Sequence, residues 1–301
     1  TQALHWKTKE GLVRMCACRG TAGFAHVSCL AEQAKILVAE AEENNLDWKV
    51  KTARWGRWHT CSLCKQRYHG AVRGALGWAC WKTYLGRPET DHVRQGAMSE
   101  VGNGVLASNQ YADALIVREA ELSTLRRVGA RIEHILIVQG NLANTYDALK
   151  RNEDAIRMRR DVYSGHLRLH GEEHYDTLRE ANNLANSFAQ LQRFEEARSL
   201  LRKTIPAARR VLGETSELMH RMKKVYADTL YMDPTATLDD LREAVTTLEE
   251  TELLARRVLG GVHPFAAGIE KYLRESQAAL RARESGDVES IREAVVRWWR
   301  R

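Results

Sequence analysis

The chain has little that would place it in a membrane or give it chemistry of its own. No stretch of its 301 residues approaches the 18 or more apolar side chains that a membrane-crossing helix needs. Its start lacks the basic, then apolar, then small-residue order of a secretory signal. No glycine-rich phosphate loop, nucleophile elbow or H-E-x-x-H helix occurs, so no catalytic residue can be named. Cysteine is scarce as well, with six in all. Five of them stand in close spacing with one another or with a histidine, which in a chain lacking an export signal favours metal over disulfides. The expectation is an intracellular, cytoplasmic protein with no transmembrane segment.

What is present is unevenly spread. Residues 1–90 hold 14 Lys plus Arg against 7 Asp plus Glu, while residues 91–301 hold 32 of each. All six cysteines and six of the eight tryptophans lie in the first 81 residues. Two modules of different chemistry are therefore expected, joined near Arg87–Val93.

The first module carries Cys16-Ala-Cys18, then His26 and Cys29, then Cys61-Ser-Leu-Cys64. Thiolate and imidazole are the ligands zinc prefers, and a structural site takes four of them in a tetrahedron. The segment from Cys16 to Leu30, with Cys61-Ser-Leu-Cys64-Lys65-Gln-Arg-Tyr68, resembles the RING-CH family of zinc-binding ubiquitin ligases. That pattern has eight ligands, and the last six stand here in order. The resemblance implies a cross-brace in which Cys16, Cys18, Cys61 and Cys64 share one ion. His26 and Cys29 then hold half of a second site, for which Thr1 to Met15 offers only His5. The expected reason is that the first C-x2-C pair lies upstream of Thr1; a degenerate one-zinc domain is the alternative. The resemblance also implies a groove for a ubiquitin-conjugating enzyme, but its two usual walls, the first C-x2-C loop and a Trp beyond the His-x2-Cys pair, are missing.

Between Cys29 and Cys61 the strong helix formers and apolar stripe of Leu30 to Asn44 predict an inserted helix. Trp48 to His59 interleaves basic and aromatic residues, which would suit single-stranded nucleic acid. The preferred reading is that these tryptophans pack on the zinc core, so nucleic acid is not the expected partner. Cys80 and His69 read as core residues.

From about Gly96 the chain repeats itself. Asn141-Leu-Ala-Asn144 recurs as Asn183-Leu-Ala-Asn186, and Gly129, Gly171 and Gly213 close successive units at steps of 42, with Gly260 after 47. The extra five residues fit an insertion around Asp233-Pro234. Each unit reads as two amphipathic helices closed by a left-handed glycine, and such hairpins must stack to bury their apolar faces. The repeat resembles the tetratricopeptide class, most closely the 42-residue kind of kinesin light chains, through Asn182-Asn183-Leu184-Ala185, Arg193-Phe194-Glu-Glu-Ala197 and Leu212-Gly213-Glu. Pro206, inside a second helix, is expected to kink it.

Aligning the units stacks Asn103, Asn144, Asn186 and Asp228 in one column. The resemblance implies that first helices line a concave groove where this column hydrogen-bonds a peptide backbone. An amide both donates and accepts, which suits that task; the alternative is that the column only links neighbouring helices. Asn141 and Asn183 are secondary candidates. The C-terminal stretch from Ile291 to Arg301 reads as a helix closing the stack, a membrane-surface helix being the alternative.

The predicted architecture is mostly α: a small cross-brace zinc-binding module over residues 1–90, then an all-α tetratricopeptide-type superhelical solenoid of about four repeats over 96–280, then a capping helix over 281–301. The expected function is a zinc-binding scaffold whose repeats hold a peptide or protein. A RING-CH-type ubiquitin-protein ligase that recruits substrate through the repeats is the alternative.

Overall fold

Helix formers at helical spacing dominate the sequence, and helices dominate the computed structural model. It describes residues 4–14, 16, 18, 23–260 and 263–285. Twelve α-helices and one two-stranded sheet occur among them. The chain divides into two compact units, residues 1–151 and 152–301.

In the first unit, β1 (Val13–Arg14) pairs antiparallel with β2 (Phe24–Ala25). Next come α1 (Val27–Glu43), which is the expected inserted helix, and α2 (Trp48–Trp55). Asp47 caps α2 by accepting from the Lys49 and Val50 amides, so the chain turns sharply between the two helices. Then follow α3 (Gly70–Tyr84), α4 (His92–Ala107), α5 (Tyr111–Arg127) and α6 (Ile132–Ala148).

The junction expected near Arg87–Val93 falls at the turn of a helical hairpin, α3–α4. Small residues let these two helices touch backbone to backbone. A Cβ on Gly77 would lie 2.6 Å from the Glu100 carbonyl oxygen, and one on Gly104 would lie 2.7 Å from that of Arg73. A buried ion pair locks the hairpin, with the Arg73 guanidinium 2.5 Å from Glu100 Oε2. The turn itself is tied to α1 by Arg87, which donates to both Glu42 carboxylate oxygens. Ala34 and Val38 of α1 share one core with Trp58, Cys80, Tyr84, Val93 and Ala97. The cysteine-bearing module and the first helical hairpin are thus one packed body, because the apolar faces of α1, α3 and α4 have only each other to cover them.

The second unit comprises α7 (Asn152–His170), α8 (Tyr175–Gln190), α9 (Phe194–Leu212), α10 (Glu217–Tyr231), α11 (Leu238–Leu259) and α12 (Pro264–Ser285). One core runs through it, from Ile156 and Leu178 to Met219, Met222, Leu248 and Ile269. Gly171, Gly213 and Gly260 adopt φ of +80°, +73° and +86°, as their repeat positions predict. At Gly213 and Gly260 ψ is extended, at 169° and 150°, a combination open essentially to glycine alone.

The insertion around Asp233 forms a side-chain-capped turn, with Asp233 Oδ1 accepting from the Thr235 amide and hydroxyl. Arg198 donates to Asp233 Oδ2 at 2.6 Å and pins the turn to α9. Helix α9 continues through Pro206, at the cost of one main-chain bond. Of the expected capping helix, residues 286–301 lie outside the described residues, and 281–285 are the last turn of α12.

Candidate functional site

Two tight turns bring four thiols together. Cys16 and Cys18 follow β1 in the crossing from β1 to β2. Cys61 and Cys64 occupy a turn closed by the Thr60–Arg67 bridge, in which the Cys61 amide donates to Gln66 O and Lys65 takes φ of 58°. Cys16 Sγ lies 3.5 Å and Cys18 Sγ 3.7 Å from Cys61 Sγ. The ligand atoms of Cys16, Cys18, Cys61 and Cys64 all fall within 4.8 Å of one another. None of the four is in a disulfide.

The spacing suits a metal. Four sulfurs at tetrahedral corners, each about 2.3 Å from zinc, stand about 3.8 Å apart. Electrostatics favour the thiolate at one of the four: burial raises the Cys16 thiol, and bonds to the Cys16 and Cys64 thiols raise Cys18 to about 12. Burial pushes the Cys61 thiol up, but the amide N–H groups of Cys64 and Leu63, with the Cys16 and Cys64 thiols, outweigh it and bring it to about 7. A thiolate is the form that binds metal. Beneath the cluster, Tyr68 and Leu76 of α3 close the floor, with Cys16 and Cys61 both 5% exposed.

His26 and Cys29 are not part of this group. His26 precedes α1, and its Nδ1 lies 3.7 Å from Cys29 Sγ one turn on. Cys29 is exposed. The His5 ring meets the His26 ring edge-on, with centroids 5.2 Å apart. His5 is nevertheless a poor third ligand. Its Nδ1 accepts the Thr8 amide proton at 3.0 Å, so the neutral ring carries its own proton on Nε2.

Of the basic and aromatic segment, Trp58 is fully buried and Trp55 packs on Tyr84, whereas Trp48 is 71% exposed. Cys80 is buried, and burial holds its thiol far above its usual range. His69, expected in the core, is instead exposed just before α3 and does not cap it by its side chain.

The polar column separates into different environments. In the first unit, Asn103 Oδ1 accepts from Arg118, a guanidinium buried between α4 and α5 that also holds Glu121 at 2.7 Å. Asn144 is exposed on α6, and Asn141 is half-buried, its carbonyl accepting from Thr145 at 3.1 Å. In the second unit, Asn186 is half-buried on α8, and Asn183 donates to Glu180 Oε2 at 3.2 Å.

Asp228 departs from the expectation of a groove-facing residue. It is 4% exposed and lies 2.6 Å from Lys224 Nζ, which in turn sits 4.2 Å from the centre of the Tyr272 ring of α12. Burial raises its carboxyl to about 6 against the opposing pull of Lys224. Lys224 reaches Oδ2 from one turn away, Oδ1 is left buried without a hydrogen-bond partner, and the α12 residue Tyr272 lies over the amine.

Sequence reasoning missed Arg73, Glu100 and His59, which knit the cysteine turn to α4: His59 Nδ1 lies 3.2 Å from Glu100 Oε1. Gly74, Gly77 and Gly104 were the available signal, since small residues at helical spacing mark a close helix crossing.

The tetratricopeptide repeat model matches residues 134–210. Over that stretch the helical hairpins match tetratricopeptide repeats, and the fold is a tetratricopeptide-like helical solenoid. Among solved structures, BtubC (BKLC) from P. vanneervenii superposes with a TM-score of 0.56 at 15% identity, covering 92% of this chain and 91% of that one. A Podosopora anserina protein described as a kinesin light chain with nearly identical TPR-like repeats gives a TM-score of 0.52 at 17% identity, covering 77% of this chain and 97% of that one. At these identities the likeness is one of fold. No curated protein sequence matches the chain. No helix among the described residues is long and apolar enough to cross a membrane.

Proposed function

We propose that the chain is a zinc-stapled tetratricopeptide scaffold that holds a protein or peptide partner against its first helices. The observation that carries the zinc half is the convergence of four thiols from two turns onto a floor made by α3. The ion would be held by Cys16, Cys18, Cys61 and Cys64. A closed four-sulfur site supplies folding energy and leaves no position for substrate or water. Its role is then to fix the two turns against α3, which the Gly77 and Gly104 contacts fix against α4. The partner half rests on the tetratricopeptide hairpins and, each within its own unit, on Asn144, exposed on α6, and Asn186, half-buried on α8. Asn103 accepts from the buried Arg118 and Asp228 is itself buried against Lys224, so both are left out of this set.

Metal content of the purified chain tests the first half. One zinc per chain, lost on Cys61→Ser, supports the staple; a metal-free folded chain ends it.

The second reading is ubiquitin transfer in the manner of the RING-CH family. One observation favours it: Leu63, between two proposed ligands, is 66% exposed and could meet a conjugating enzyme. Autoubiquitination by this chain with a panel of conjugating enzymes would move the reading from scaffold to ligase.

A further inference from the structure

Counted back from its closing glycine, each second helix has two corresponding positions one turn apart, five and one residues before it. They hold Thr124 of α5 and Val128 just after it, Ala208 and Leu212 in α9, and Ala255 and Leu259 in α11. In α7 both are histidine, His166 and His170. Residues four apart share a helix face, and the two rings lie with centroids 5.7 Å apart at 29°.

Folding alone gives no reason for this pair. His166 is 3% exposed, and neither of its ring nitrogens has a hydrogen-bond partner. A buried polar group without a partner destabilises the fold, and the alanine used in α9 and α11 would avoid the loss. Burial, the largest influence, holds His166 below its ordinary pKa, with Arg179 and His170 acting the same way and Asp176 and Glu180 opposing. The ring is therefore neutral, and one nitrogen keeps a bare lone pair.

His174 completes a row of three imidazoles, stacked on His170 at 4.2 Å. Its own Nδ1 accepts the Asp176 amide proton at 3.2 Å, so it caps α8 and braces the His170 ring but has no lone pair to give.

From this we infer that His166 and His170 form a binding site for a divalent first-row transition-metal ion. Neutral imidazole is a ligand for zinc, nickel and copper. Two histidines at i and i+4 on one helix are the pair that the H-E-x-x-H helix also presents to zinc. Two protein ligands make a half-open site, with solvent or a further ligand completing the coordination. The site lies in the second unit, among residues none of which belongs to the four-thiol group, so it does not rest on the zinc staple.

The test uses the whole 301-residue chain, first loaded with zinc at its cysteines, then titrated with Ni²⁺ by calorimetry and followed by thermal melting. One further Ni²⁺ is expected, with a rise in melting temperature. The double variant His166→Ala, His170→Leu carries the residues of α9 and α11. It should fold at least as stably and bind Ni²⁺ more weakly by about 10–100-fold or more, no less than the loss of an outer-shell partner brings. His170→Leu alone, at an exposed ring, should show the same weakening and guards against a misfolded double variant. Ni²⁺ binding that survives His170→Leu, that disappears instead on Cys29→Ser, or that is absent from the parent chain at millimolar metal overturns the inference.

Discussion

Glu100 of α4 meets Arg73 of α3 across a helix interface where both are 5% exposed, and it faces His59 on its other oxygen. One carboxylate therefore joins the turn that carries Cys61 to the first helical hairpin. Burial alone would push the Glu100 carboxyl up, but His59 and Arg73 reverse that and hold it below its usual range.

Removing one partner of this pair should be severe. Glu100→Ala leaves Arg73 buried and unpaired, which costs about 3–5 kcal/mol. Replacing both, as Arg73→Met with Glu100→Leu, should recover most of the loss, because two apolar side chains need no partners. Chemical denaturation of the three chains measures this. Equal losses in the single and double variants would show that the pair is not what holds α3 to α4.

Metal removal should act through the same body. Structural zinc contributes about 10–16 kcal/mol in small zinc peptides, so chelation should lower the melting temperature of the full chain and expose the α1–α3–α4 core to hydrogen exchange. Cys61→Ser should reproduce this effect, and Cys80→Ser should not. A Cys61→Ser chain with parental zinc content and protection would rule out the four-thiol site.

For the partner surface, Asn144→Ala in the first unit and Asn186→Ala in the second, made separately, should each weaken a bound peptide while leaving the fold nearly intact. Each hydrogen bond is worth about 0.5–1.5 kcal/mol net. Surface changes move stability by less than about 0.5 kcal/mol each. Pull-down efficiency paired with thermal melts decides it. A large fall in melting temperature would make the two amides links between helices.

Asp228 should give the second unit a distinctive pH response. Its folded pKa, near 6, exceeds the unfolded value, so the stability it contributes is fully present below about pH 4 and is lost as pH rises through 6. Asp228→Asn does not titrate. Relative to the parent it should therefore gain stability between pH 4 and pH 7, by about 3 kcal/mol at most. Parallel pH profiles for the two chains would show that the carboxylate is not buried as the structure has it.

The repeat period was legible because it is local. Glycines at 171, 213 and 260 are needed where φ turns positive, and no other residue meets that need so easily. The inserted helix was legible in the same way, from an apolar stripe that appears as α1. The cysteine pairs announced themselves by spacing, each being one tight turn. The α3–α4 hairpin was not legible, since Gly74, Gly77 and Gly104 matter only once two helices are pressed together. Asp228 was misplaced for a related reason: its column position is shared with asparagines, but Lys224 and the α12 residue Tyr272 cover it.

The sequence by itself determined the helices, their 42-residue rhythm and the identity of the thiols, because each depends on residues within a turn or two of one another. Only the tertiary structure decided that Cys16 and Cys61, 45 residues apart, share a cluster. It alone decided that α3 belongs with α4, and that Asn103 and Asp228 already have partners. Those outcomes depend on which apolar faces cover which, and on whether a polar group meets its complement across the interface. Burial is a property of the assembled chain, and no single segment carries it.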